Sequence, residues 1–355
     1  MALPLIDVVT ALATLNMLLS FVLLQFAVPM FIFITGFVLS LRYSGRFSTA
    51  AFYRRRLATI LPPYLLFTFV YMVLPPGLTA YIWPAKAASV QTFIIDLLTG
   101  TAHYHLWFFV LIIQLYLIYP LIAAMYGVCA EYEQEYPLLG AVLALQILWS
   151  TGIIAGGVDL LWHSVTGSMF PEYVYFPEYI FYFIAGIHVH HNFDRFREAV
   201  HRVSGIKILF ASAVTAGALS LLLIAGTIRY GTFNGISGMY SLFETVAEPF
   251  YYVTIIALAF IVAEWLTASK NAASQLLKTT GDYSFGIYLI HPLFLLLGTE
   301  VLARVFFIDW YDWIFYPANF LFTFGVSYVM VLLLSHLPWS GLILGTRAQR
   351  AKDRQ

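Results

Sequence analysis

One cysteine, Cys129, in 355 residues leaves room for neither a disulfide framework nor a cysteine-built metal site. Charge is almost as scarce. Asp, Glu, Lys and Arg make up 10% of the chain, where ordinary soluble domains carry about 25%. Basic and acidic residues balance at 18 each, so no net positive field invites nucleic acid. No Lys or Arg precedes Arg42, and Met1–Ser20 therefore lacks the positive start of a cleavable signal peptide. Internal repeats and low-complexity tracts are missing, as is any polar stretch long enough to form a soluble domain. Apolar residues dominate instead, at 61% hydrophobic and 18% aromatic. No single core hides that much apolar surface, whereas a bilayer does. The composition implies an all-α, polytopic transmembrane helix bundle, organised as one integral membrane domain over 1–355.

Nine apolar segments stand out: 17–41, 57–75, 104–126, 138–156, 176–190, 207–227, 246–266, 284–303 and 313–337. Most approach the ~20 residues that a helix needs to cross ~30 Å of hydrocarbon. Between the first two sit Arg42, Arg46, Arg54, Arg55 and Arg56, and positive charge between spans is retained on the cytoplasmic side. Alternation from that block makes 42–56, 127–137, 191–206, 267–283 and 338–355 cytoplasmic. With Lys207 counted beside its loop, these segments hold fifteen of the eighteen Lys and Arg residues. Only Lys86, Arg229 and Arg304 fall outside. The C-terminus is then cytoplasmic and the N-terminus external, in a multi-pass protein of the cell membrane. Trp83, Trp107, Trp162, Trp265, Trp310, Trp313 and Trp339 lie at or near segment ends, where interfacial aromatic belts form. The outer loops 76–103, 157–175 and 228–245 are rich in Gly, Pro and Tyr, a composition suited to a lid or groove.

A few polar residues interrupt the apolar background. His291, in Tyr283-Ser284-Phe285-Gly286-Ile287-Tyr288-Leu289-Ile290-His291-Pro292, lies seven residues past Ser284, or roughly 10 Å into the membrane at 1.5 Å per residue. An ionisable residue at that depth reads as functional, or else as a neutral histidine donating to a carbonyl or a Tyr hydroxyl. His105, in His103-Tyr104-His105-Leu106-Trp107-Phe108-Phe109, stands where the third span begins on the outer side. It is suited to deprotonating a hydroxyl arriving from outside, or to binding a sugar beside Trp107; the plainer reading is an interfacial cap. A His103–His105 metal pair is the weaker reading, because no third ligand is near in sequence, and no metal is expected. Arg54, Arg55 and Arg56 precede Pro62-Pro63-Tyr64 at the cytoplasmic mouth of the second span. Guanidinium forks suit phosphate, although retention of positive charge alone also produces such a cluster. His188, His190 and His191 read as a solvated interfacial group. Glu172, Glu178, Glu244, Glu248, Glu300, Asp309 and Asp312 gather at the outer face, where carboxylates beside aromatics suit hydroxyl-rich ligands.

Four stretches in order resemble the acyltransferase-3 family of integral membrane O-acyltransferases. They are Phe26-Ala27-Val28-Pro29-Met30-Phe31-Ile32-Phe33-Ile34-Thr35-Gly36-Phe37, then Phe52-Tyr53-Arg54-Arg55-Arg56 with Pro62-Pro63-Tyr64, then His105-Leu106-Trp107-Phe108-Phe109, then Tyr283 through His291. The resemblance implies a bundle of about ten helices with both ends cytoplasmic. It also implies transfer of an acyl group, commonly acetyl, from cytosolic acyl-CoA to a hydroxyl of a cell-surface saccharide or glycolipid. Acyl-CoA is then a donor substrate, and no permanently bound cofactor is expected. By the same resemblance Arg54 and Arg56, with Tyr64 on the same span, meet the CoA moiety, and His105 and His291 support the chemistry; Trp107 and Glu248, among the aromatic and acidic residues of the outer face, are expected to contact the acceptor.

One departure accompanies these matches. Members of the family carry an Arg and, about eleven residues later, a His in the span preceding the Val-Pro-Met-Phe-like one, and that His is the usual candidate base. This chain has no His before His103. It reads as beginning just past that helix, with nine spans and the primary base expected on the missing one. The alternatives are a non-catalytic export component for a polysaccharide or lipid-linked sugar, and an inactive truncated homologue.

Overall fold

Backbone amides and carbonyls inside hydrocarbon must be satisfied within the segment, which leaves helices as the economical solution for long apolar runs. The computed structural model describes residues 25–45, 47–74, 89–152, 154–166, 174–203, 205–230, 238–269, 271–308, 312 and 314–345. Among them there are helices and turns but no strands. In chain order the helices are α1 (Ala27–Arg42), α2 (Thr49–Val73), α3 (Val90–Thr99), α4 (Trp107–Glu131), α5 (Glu135–Ser150), α6 (Ala155–Thr166) and α7 (Ile180–His191). They continue with α8 (Phe193–Arg202), α9 (Gly205–Tyr230), α10 (Gly238–Ala268), α11 (Ala272–Val305), α12 (Phe315–Ser335) and α13 (Ser340–Leu344). Five of the described stretches are long and apolar enough to cross a membrane: Thr49–Val73, Trp107–Glu131, Thr245–Ala268, Ala272–Val305 and Phe315–Ser335.

Each of the nine apolar segments overlaps one of these helices, with residues 17–24 of the first lying outside the described residues. The differences lie in the connections. Arg54, Arg55 and Arg56 belong to the second and third turns of α2 rather than to a loop. The connection expected over 76–103 contains α3, and the one expected over 191–206 contains α8. Met1–Asn16, Arg46, Trp83, Lys86, Glu172, Asp309, Trp310, Trp313 and the Arg347–Gln355 tail lie outside the described residues.

The chain divides into two compact units. In the first, whose described residues fall within 25–48 and 114–268, α1 packs against α7 along a seam built on two glycines. A Cβ on Gly36 would strike the Phe183 carbonyl oxygen, and one on Gly186 would strike that of Phe33. Small residues allow such backbone approach where helix association depends on close packing. Side-chain amides fasten the segment that leads into α7. Gln114 Nε2 donates to the Val174 carbonyl at 2.9 Å, its Oε1 accepts from Phe176 N at 3.2 Å, and Gln146 Oε1 accepts from Phe181 N at 3.0 Å. The Phe181 amide, in the first turn of α7 where the helix itself supplies no acceptor, is met in this way. Helix α8 is polar, with Phe193 and Phe196 set against Phe260 and Val200 buried. Arg197 Nε and His201 Nε2 both close on the Glu264 carboxylate, at 2.9 and 2.7 Å.

The second unit, whose described residues fall within 49–113 and 269–345, contains α2, α3, the first turns of α4, and α11 to α13. Helices α11 and α12 pack along their length. Asn319 fits against Gly298, where a Cβ would collide with its amide, and its Nδ2 donates to Thr299 Oγ1 at 3.0 Å. Interhelical bonds of this kind average about 0.6 kcal/mol in membranes. Helix α13 tucks against α2, with Gly345 at φ +63° beside the Thr59 carbonyl.

Candidate active site

The site of the second unit begins with Pro292. A proline inside a helix has no N–H, so the carbonyl four residues back loses its partner. That carbonyl is Tyr288 O, and His291 Nδ1 takes it up at 2.7 Å. The bond places the imidazole proton on Nδ1, so Nε2 carries the lone pair. Nε2 meets the Tyr104 hydroxyl, which donates to it at 3.3 Å.

Tyr104 is presented by a tight turn ahead of α4. Helix α3 ends at Gly100 in the left-handed region, φ +71°, which brings the chain back so closely that a Cβ there would meet the Trp107 backbone. Thr101 Oγ1 donates to buried Asp96 at 2.8 Å, and Leu106 N donates to the His103 carbonyl at 3.0 Å. The turn buries His103 and His105 and leaves Tyr104 between them half-exposed. The two histidines are joined through their Nδ1 atoms, 3.0 Å apart, so one ring donates and the other accepts. Burial, and after it the nearby His291, pushes His103 down from 6.5 to about 4, which keeps it neutral.

Tyrosines complete the enclosure. Tyr71, near the end of α2, stacks on His103 with centroids 4.4 Å apart and donates to the Leu289 carbonyl at 2.7 Å. Tyr288 donates to the His105 carbonyl, and the His105 and His291 rings lie 5.5 Å apart. Below this cluster Phe109 stacks on Tyr64 at 5.0 Å and meets Phe285 at 5.5 Å. Histidines read separately from sequence thus share one cluster of imidazoles and phenols.

The remaining sequence-derived candidates are distributed as follows. Arg54 is exposed on α2. Arg56 is partly drawn in, with Nε and Nη2 shielded from solvent. Tyr64 is buried, and its hydroxyl donates to the Leu97 carbonyl at 2.7 Å. Trp107 starts α4 directly after the histidine turn. Glu248 belongs to the first unit, within hydrogen-bonding reach of Tyr252. In that unit His188 receives the Tyr126 hydroxyl at 2.9 Å and His190 Nδ1 lies 2.9 Å from Ser40 Oγ, so two of the three histidines there are tied to neighbouring helices. Among the described residues no group of three His, Cys, Asp or Glu side chains is arranged to hold a metal ion. Sequence reasoning assigned no role to Tyr71, Tyr104 or Tyr288. The signal that exposes them is the His291-Pro292 pair, which marks a freed carbonyl beside an imidazole.

Apolar helices long enough to span a bilayer, with imidazoles and phenols enclosed between them, define a multi-pass membrane protein with the makings of proton-transfer chemistry. Residues 3–332 match the model of the acyltransferase domain family known as acyltransferase-3, and the chain belongs to that family. The match starts ahead of α1, in a stretch that lies outside the described residues as far as Leu24. No curated protein and no solved structure gave a match.

Proposed function

We propose that the protein is a membrane O-acyltransferase that moves an acyl group, acetyl in the simplest case, from cytosolic acyl-CoA to a hydroxyl of an extracytoplasmic saccharide or glycolipid. One observation carries the reading: α2 links two different chemical environments. Arg54 and Arg56 stand near its start, and Tyr71 touches His103 near its end. The fifteen residues from Arg56 to Tyr71 correspond to about 22 Å of helix. Phosphates held at the guanidinium end leave a pantetheine arm to carry the thioester toward the histidine end. The imbalance of Lys and Arg across the predicted loops supports a cytosolic position for the guanidinium end.

In this scheme the acceptor hydroxyl loses its proton to a basic nitrogen as its oxygen attacks the thioester carbonyl, and CoA leaves as the thiol. General-base assistance of this kind is worth about 10²–10⁴-fold in rate. Membranes containing the protein, given acetyl-labelled CoA, are expected to release free CoA and to label a saccharide or glycolipid fraction. An export component would release no CoA. Arg56→Ala is expected to raise KM for acyl-CoA about tenfold, the loss of one charge-assisted phosphate contact. An unchanged KM would remove Arg56 from the donor site.

A further inference from the structure

Resting on the acyltransferase reading above, we propose that Tyr104 is a catalytic residue, carrying the acceptor's hydroxyl proton to His291. The histidines of the cluster are not equivalent. His103 and His105 are 1% and 4% exposed, and each has its Nδ1 engaged with the other. His105 Nε2 is also sealed from solvent, and the Leu289 backbone lies against the ring. Neither buried ring can take a proton directly from an incoming substrate. His291 is half-buried, with Nδ1 held on the Tyr288 carbonyl, so Nε2 is its basic atom. That atom faces the Tyr104 hydroxyl, and Tyr104 is the one half-exposed residue in the His103–Leu106 turn. Its ring is fixed between two imidazoles, with centroids 4.7 Å from His103 and 5.5 Å from His105. The phenol is therefore placed where an acceptor hydroxyl would have to approach.

A phenolic hydroxyl donates and accepts at once. It passes a proton without ever standing as a buried phenolate, which an apolar site would penalise. As the acceptor oxygen bonds to the thioester carbonyl carbon, its proton moves to the Tyr104 oxygen, and the Tyr104 proton moves to His291 Nε2. Collapse of the tetrahedral adduct breaks the C–S bond. The thiolate then takes back the proton from His291 through the same hydroxyl, which leaves both residues neutral. No electrons are gained or lost. His103, His105 and Tyr71 position the turn that displays the phenol.

Tyr104→Phe removes the relaying oxygen and keeps the ring. With acetyl-labelled CoA and native membranes supplying the acceptor, this variant is expected to lose at least 10²-fold in turnover, with KM for acyl-CoA and thermal unfolding unchanged. The residual rate should show a smaller solvent deuterium isotope effect than the parent. In ¹⁵N-histidine spectra the lone-pair Nε2 signal of His291 should shift on loss of its donor. Wild-type turnover in Tyr104→Phe overturns the relay while leaving the acyltransferase reading intact, and so does a loss confined to KM. An unmoved His291 signal overturns the Tyr104–His291 contact itself. A wild-type protein that releases no CoA overturns the acyltransferase reading, and the relay falls with it.

Discussion

At the scale of single residues, protons in this site are allocated by backbone geometry. Pro292 frees a carbonyl, the carbonyl fixes the proton of His291, and the remaining nitrogen turns to Tyr104. His103 illustrates the cost of a buried imidazole. Its folded-state pKa of about 4 lies below the ordinary 6.5, so the unfolded chain binds the proton first as acid is added. Stability of the second unit is expected to fall as pH drops from about 6.5 toward 4 and to level off below that. Thermal unfolding of the detergent-solubilised protein across this range checks the expectation, and His103→Gln should flatten the slope. An equally steep slope in that variant would assign the acid sensitivity to other groups. Sequence located His105 and His291 but not their partnership, because residues 186 apart show no periodicity that connects them. His103 was weighed there as half of a metal pair, whereas the structure joins it to His105 by a hydrogen bond.

At the scale of helices, apolar length located the long helices, five of them able to cross a membrane, and missed the short elements in the connections. Helix α8 escaped because its signal is spacing, with Phe193, Phe196 and Val200 on one stripe of a charged segment. Helix α3 was hidden inside a loop judged by its Gly, Pro and Tyr content, although Ser89 caps it by accepting from Thr92 N at 3.0 Å. The α1–α7 seam likewise became visible only when the two glycines were seen to face each other's helix. Gly186→Ala would push a methyl group into the Phe33 carbonyl, and overpacking of that kind costs about 1–3 kcal/mol. A lowered unfolding temperature for Gly186→Ala is the expected result. Gly140→Ala, where a Cβ meets nothing within 4 Å, should stay close to wild type. Equal effects from the two substitutions would show that the seam is not closely packed.

At the scale of the whole molecule, fold class and family were legible because both depend on properties distributed along the chain. Hydropathy gives the spans, and four separated stretches give the resemblance that the family match over residues 3–332 bears out. The site was legible only in part, since aromatic side chains are too common in a membrane protein for any one to stand out. Pro292 carries a consequence for engineering the protein. Replacing it with Ala restores an amide to the middle of α11, the longest of the described helices, and should raise resistance to heat. The same change returns the Tyr288 carbonyl to the helix and releases the imidazole that had held it. Pro292→Ala is therefore expected to melt higher and turn over more slowly, so a search for robust variants judged on heat tolerance alone would select against catalysis.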